Sequence, residues 1–326
     1  MRSSPSIISE KKPVATAWQV TGFIILTTIL GVVVLFWPTV ASMIEAWKSS
    51  RTFGHGFLVL PAACYLVWCY RYKLTLLTPA PSGWGVLALT MTGAGWVLGY
   101  LTNILVLQQA AVVASIPILV WAILGTKIMK ALSWPLGFLM FLLPVGRSIE
   151  PWLQDFTAWF ILSGLDLTGV QYLYEDHRIV IASGTWEVAR DCGGLRYLLP
   201  GLALAYAFAT LIYRQPARRL VFLVLSAAVL MLANGVRAYG VIISDHLGYV
   251  EGADHRLFSY TIYAITIPLL YWLGLKWSDV ELKTPVRDAT PIPVFHDARR
   301  TMLMAVASLA VLAVAPLSVW LLVGRQ

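Results

Sequence analysis

The chain has 326 residues, of which 59% are hydrophobic and only 12% charged, with a formal net charge of +8. A soluble chain carries about 25% charged residues, so a water-soluble globular fold is excluded, and the mean hydropathy of +0.74 agrees. The positive balance does not point to nucleic acid, because the basic residues stand in short loops beside apolar runs, where they report topology.

Apolar runs of about 17–25 residues cross a bilayer core as helix. Their backbone groups must be satisfied within the segment or in a closed barrel, and continuous runs lack the alternation of barrel strands. In chain order, residues 1–17 form a polar, basic cytoplasmic tail. The run at 18–37 ends without a small-residue cleavage site and reads as a signal anchor. Further spans are expected at 56–70, 84–101, 104–124 and 131–146. Segment 152–169 (WLQDFTAWFILSGLDLTG) is interrupted by Asp155, Asp166 and two glycines and suits an interfacial or half-inserted helix better. Residues 171–191 (QYLYEDHRIVIASGTWEVARD) are polar and β-branched, with Ser183-Gly184 placed as a two-residue hairpin turn. Spans at 192–213, 219–243, 257–275 and 302–322 complete the chain. The expected fold is an all-α polytopic membrane protein of about eight to nine transmembrane helices, with a small periplasmic hairpin before the helix that Cys192 opens. It divides into the tail, a membrane core over 18–275, a cytoplasmic linker over 276–301 and a C-terminal transmembrane helix over 302–326.

With the N-terminus cytoplasmic and 152–169 not crossing, most of the 24 lysines and arginines fall inside, including those of YRQPARR at 213–219, as the positive-inside rule requires. The outer charges are clustered. Arg190, Asp191 and Arg196 open one span, Arg237 closes the next in ANGVRAY, and Asp254, His255 and Arg256 open a third in EGADHRLFSY. Ionisable groups at the ends of membrane helices are costly and mark function.

The cysteine in RDCGGLRY (190–197) sits where a helix begins, so the positive helix end favours its thiolate. Arg196 lies one turn on, on the same face. A thiolate, a histidine and an arginine suffice for acyl transfer. Cys192 attacks a carbonyl, His255 protonates the leaving amine and later activates the acceptor, and Arg237 steadies the tetrahedral oxyanion. Gly193 and Gly194 leave room for a substrate backbone. Asp191 opposes thiolate formation, so it either orients His255 or pairs with Arg190. Arg196 either assists Cys192 or pairs with Asp191 or Glu187 to hold the hairpin. Asn234 either orients Arg237 or caps backbone. His55 and Arg147, also outer, line the site or meet headgroups.

DCGGLRYL, NGVRAY and DHRLFSY, in that order on successive spans, resemble the exosortases, membrane cysteine enzymes of Gram-negative bacteria. GHGFLVLP (54–61), PVGRSIEPWLQDFTA (144–158) and TWEVARD add to the resemblance, which covers about 50 to 275. It implies a nucleophile at Cys192, an arginine role for Arg237 and a histidine role for His255. It departs from the family pattern in having Gly193 where a serine usually follows the cysteine, and Ser259-Tyr260 where Gly-Trp is usual. The resemblance implies a sorting enzyme of the inner membrane with a periplasmic site. Its substrates would carry a C-terminal Pro-Glu-Pro (PEP-CTERM) motif, a transmembrane helix and a basic cluster, and would be cleaved and transferred to an unknown acceptor. Some members carry a further outer domain after the last span; by this layout that domain is absent or truncated here.

Blander roles fit other residues. Cys64 and Cys69, in CYLVWCY, are expected to be packing residues. His177, His246 and His296 are expected in solvated loops. No HExxH or paired-histidine signature appears, so neither a metal nor a cofactor is expected. Two other classes remain: a transporter or polysaccharide-assembly component, whose charges would line a pathway at mid-membrane depth, and an acyltransferase that would not need Cys192.

Overall fold

A backbone surrounded by lipid closes its hydrogen bonds as helix, and helix dominates the computed structural model of the chain. It describes residues 12–146, 148–248, 254–278 and 298–323, with side chains for all of these except 12–17, 191–192, 254–257, 259 and 322–323. The helices are α1 (Lys12–Leu35), α2 (Trp37–Ser49), α3 (Gly56–Cys69), α4 (Arg71–Leu74), α5 (Gly83–Leu101), α6 (Leu105–Leu124), α7 (Thr126–Gly137), α8 (Glu150–Thr168), α9 (Leu195–Ile212), α10 (Pro216–His246), α11 (Asp254–Lys276) and α12 (Ala298–Val323). Among the described residues, six helical segments are long and apolar enough to cross a membrane: Trp18–Leu35, Gly83–Leu101, Leu105–Leu124, Leu195–Ile212, Pro216–His246 and Ala298–Leu321. Gly56–Cys69 is a shorter apolar helix. The all-α polytopic architecture expected from the sequence is the one observed.

Residue contacts divide the chain into two units. The first takes the described residues of Met1–Glu45, Leu60–Leu143 and Thr284–Gln326, the second Ala46–Val59 and Pro144–Lys283. In the first unit α5 pairs with α6, and α12 packs on α1 and α5. Leu89, Leu119, Ile123 and Leu312 are almost wholly buried there. Helices approach this closely where one side chain is missing: a Cβ at Gly85 would stand 2.5 Å from the Ala122 backbone. At the end of α6, Gly125 takes a left-handed φ of +87°, and a Cβ would overlap the Ala80 carbonyl. The extended chain before α5 then supplies Ala80 and Ser82 N–H groups to the Leu124 and Ala122 carbonyls, which a helix end otherwise leaves without partners.

The span expected at 131–146 is replaced by a shorter helix. α7 ends at Gly137, a 3₁₀ turn covers Phe138–Leu142, and Leu143 is extended with ψ 125°. Pro135 removes a helical donor and crowds the preceding turn, and Pro144 forces Leu143 out of the helical region. Segment 152–169 forms one unbroken helix, α8, despite its aspartates. Pro151 suits its first turn, and it stops at Gly169, φ +72°, whose N–H bonds back to Asp166 O.

In the second unit α10 packs against α8, α9 and α11. Glycines and rings interlock between α8 and α10: Gly164 lies on the Tyr239 ring and Gly235 on Phe160. After α8 comes a three-stranded antiparallel sheet of β1 (Tyr172–Glu175), β2 (Arg178–Ile181) and β3 (Gly184–Glu187) in that order. The expected hairpin is present, with two differences. Ile181 pairs with Gly184, so the turn is Ala182-Ser183 and Gly184 opens β3. A further strand, β1, joins through Asp176 and His177, both with positive φ, the backbone of a type I′ turn.

Adding a methyl at Gly85 is expected to destabilise the first unit by about 1–3 kcal/mol through overpacking. Gly85→Ala should therefore melt several degrees below the parent in detergent. Gly95→Ala, on the same helix but with nothing within 4 Å of the added carbon, should melt with it.

Candidate active site

The sheet fixes where the chain enters α9. Ile179 and Ile181 on one face of β2, with Val188, pack against Ala158, Ile161 and Leu165 of α8 and Ile242 of α10. Two polar ties hold the sheet to α8: His177 Nε2 lies 2.9 Å from Asp155 Oδ1, and Gln154 Nε2 donates to the Val188 carbonyl. Val188 N–H in turn donates to His177 O at 2.9 Å. His177 is thus a bridge between sheet and helix, not a free loop residue, and His246 belongs to the last turn of α10. His296 lies outside the described residues.

Beyond Val188 the chain makes a 3₁₀ turn, Arg190–Gly193, and then Gly194 opens α9 with φ +86°. The two glycines are packed on two different helices. A Cβ at Gly193 would stand 3.0 Å from Gln154 N and 3.2 Å from Leu153 C, both α8 backbone. A Cβ at Gly194 would stand 2.6 Å from Asn234 Cγ of α10. A side chain at position 193 would need the α8 backbone to give by a few tenths of an ångström. The backbone of Cys192 therefore sits in a turn clamped between α8 and α10, at the positive end of α9. The side chains of Asp191 and Cys192 lie outside the described residues, as does all of Arg147.

On α10, Asn234 is 3% exposed. Its Nδ2 donates to Thr157 Oγ1 of α8 at 3.1 Å, and its Oδ1 accepts from Arg237 Nη1 at 3.3 Å and from Tyr263 Oη of α11 at 3.4 Å. The side chain of Asn234 is thus in contact with Arg237. The half-buried Arg237 also has its Cζ 5.8 Å from the Tyr197 ring centroid. Arg196 shares that ring: its Cζ lies 4.8 Å from the centroid and Nη2 donates to Tyr197 Oη at 2.6 Å. Among the described residues no ion pair joins Arg196 to Glu187. Glu187, exposed at the end of β3, and Arg237 instead border one cleft of about 290 Å³, otherwise walled by Ile161, Trp186, Val188, Ala238, Val241 and Ile242.

The first turn of α11 carries the backbone of His255; its side chain lies outside the described residues. That end of α11 lies on α10, since a Cβ at Gly240 would stand 2.5 Å from Phe258 Cζ. The turn bearing Cys192, the start of α11 and Arg237 are therefore gathered around the Asn234–Gly240 stretch of α10. His55 stands in the turn before α3 with Nδ1 3.1 Å from Thr52 O. Among the described residues, no three histidine, cysteine or carboxylate side chains gather closely enough to share a metal ion. Thr157, Tyr197 and Tyr263 join this network without having stood out in the sequence. Their signal was faint: single hydroxyls inside apolar helices, any of which could have served packing alone.

A family model for transmembrane exosortases matches residues 47–272. The chain belongs to the transmembrane exosortase family. The match spans the 3₁₀ turn, Arg237 and the first turns of α11, and membership in the exosortases supports a membrane transpeptidase or protease role in general terms. No curated protein and no solved structure matches this exosortase.

Gly194→Ala forces a left-handed conformation costing about 1–2 kcal/mol and drives a carbon into the hydrogen-bonded Asn234 amide. It is expected to lower the melting temperature of the purified protein clearly, whereas Gly184→Ala, with nothing within 4 Å, should not.

Proposed function

We propose that the protein is a cysteine transpeptidase or protease of the inner membrane. It cleaves C-terminal PEP-CTERM-type tails of exported proteins at the periplasmic face and transfers the cleaved protein to an acceptor. The observation that carries this is the gathering of three segments on one stretch of α10: the turn bearing Cys192, Arg237 itself, and the first turn of α11 bearing His255. Family membership supplies the reaction class.

The thiolate of Cys192 adds to the scissile carbonyl, forming a C–S bond and placing negative charge on the carbonyl oxygen. Arg237 meets that charge; a guanidinium stays protonated at any working pH and presents a rigid fork of donors. His255 gives a proton to the leaving amide nitrogen as the C–N bond breaks, leaving a thioester on Cys192. The neutral imidazole then takes a proton from the acceptor, whose oxygen or nitrogen attacks the thioester and releases Cys192 as thiolate. The helical part of the substrate tail lies in the membrane beside the second unit, where close packing and polar contacts decide association. Arg196, Glu187 and Asp191 line the approach, with His55 and Arg147 as outer contacts. The N-terminus is cytoplasmic, and the basic cluster of the tail stays on that side.

A tagged exported protein with a Pro-Glu-Pro tail, co-expressed with the enzyme, reports cleavage as a shift on a gel. Cys192→Ala and His255→Ala should abolish the shift while the protein still inserts; Cys64→Ala and Cys69→Ala, within α3, should leave it intact. Processing retained by Cys192→Ala would end the proposal. An impermeant maleimide added to intact spheroplasts should label Cys192 and spare the other two cysteines, and labelling that needs an opened membrane would reverse the orientation.

A further inference from the structure

The orientation of the Asn234 amide follows from its neighbours. Thr157 Oγ1 donates its own proton to Leu153 O at 2.8 Å, so toward Asn234 it offers a lone pair, and only the amide nitrogen can use it. The amide oxygen is thereby turned toward two donors, the Arg237 guanidinium one turn on along α10 and the Tyr263 hydroxyl of α11. Both distances are longer than a hydrogen bond at its optimum, so neither alone would hold an arginine still. The rings add the second constraint. Tyr263 stacks on Tyr197 with centroids 4.3 Å apart and planes 26° from parallel, and both Arg237 and Arg196 lie within 6 Å of the Tyr197 ring centroid. An amide oxygen and a ring thus both contact the guanidinium, and Tyr263 touches both of them.

Packing alone does not call for a tyrosine at this position. Tyr263 is 8% exposed, and a phenylalanine would fill the same space and stack on Tyr197 equally well. A buried hydroxyl costs free energy unless it is bonded, and this one points at the atom that also receives Arg237. Tyr263 also stands two turns, about 12 Å along the axis, from His255 on the same helix. Whatever sets the depth of α11 sets both groups together.

We propose that Tyr263 is a positioning residue for Arg237. Acting from α11 through Asn234 and the stacked Tyr197, it fixes the orientation in which the guanidinium meets the developing oxyanion. The proposal rests on the cysteine-transpeptidase function above. An arginine held in one orientation stabilises that charge without reorganising during the reaction, so loosening it slows turnover and leaves substrate binding unchanged.

The test uses the full-length enzyme in nanodiscs with a fluorogenic peptide carrying Pro-Glu-Pro ahead of an apolar helix. Turnover is normalised to the monodisperse, nanodisc-inserted fraction of each variant, so that a loss of folded protein does not register. Tyr263→Phe keeps the ring stack and is expected to lower kcat roughly tenfold with KM within about twofold, short of the 10²–10³ lost with an oxyanion donor itself. Unchanged kcat, or a loss confined to KM, overturns the proposal. In the Arg237→Lys background, where no planar fork remains to be oriented, Tyr263→Phe should cost less than about twofold; an equal loss in both backgrounds overturns it. If Arg237→Lys shows no turnover, the kcat and KM of Tyr263→Phe decide alone. Turnover retained by Cys192→Ala would remove the underlying function and the positioning role with it. Turnover lost in Cys192→Ala but normal in Tyr263→Phe would remove the positioning role only.

Discussion

Gly194 rests on the amide of Asn234, and the second unit is arranged around that contact. A residue with any side chain could not sit there: its Cβ would fall 2.6 Å from Asn234 Cγ, and the backbone at φ +86° suits glycine alone. Asn234 cannot move aside either, because its two ends are engaged by Thr157 on α8 and by Arg237 and Tyr263. A buried amide stripped of such partners would cost about 1–3 kcal/mol. One side chain thus ties α8, α10 and α11 together and supports the turn through which the chain enters α9.

The small sheet has a mechanical task. Its apolar face is seated on α8 and α10, and His177 and Gln154 fasten its edges to α8. Val188, the last anchored residue, precedes the 3₁₀ turn by two positions. Without these ties the turn bearing Cys192 would be free to shift between α8 and α10. Gly193 on the α8 backbone and Gly194 on α10 complete the clamp. The wall of the sheet also borders the cleft that leads to Arg237.

Placing cations beside aromatic rings solves a second problem. Arg196 and Arg237 are both half-buried in a largely apolar unit, where two like charges repel more strongly than in water. Tyr197 contacts both, its hydroxyl accepting from Arg196 and its ring centroid within 6 Å of both guanidinium carbons. Rings present negative faces to cations and restrict a planar guanidinium to few orientations, an advantage lysine would not share.

Much was legible in the linear chain. The helical class follows from continuous apolar runs, because lipid leaves backbone groups no other partner. The order DCGGLRYL, NGVRAY, DHRLFSY pointed to the family, and the relation of Asn234 to Arg237 was visible as an i,i+3 spacing. Tertiary structure decided the rest. The expected span at 131–146 became a short helix and a 3₁₀ turn, since two prolines outweighed hydropathy. Segment 152–169 is a helix, as expected, and it runs unbroken through its aspartates and glycines because α10 packs against it at Gly164 and Phe160. β1 escaped notice because Asp176-His177 is an unusual pair for a type I′ turn. Tyr263, Tyr197 and Thr157 could not have been singled out, for hydrogen bonds and ring stacks between helices depend on which faces meet, and local sequence carries no record of that.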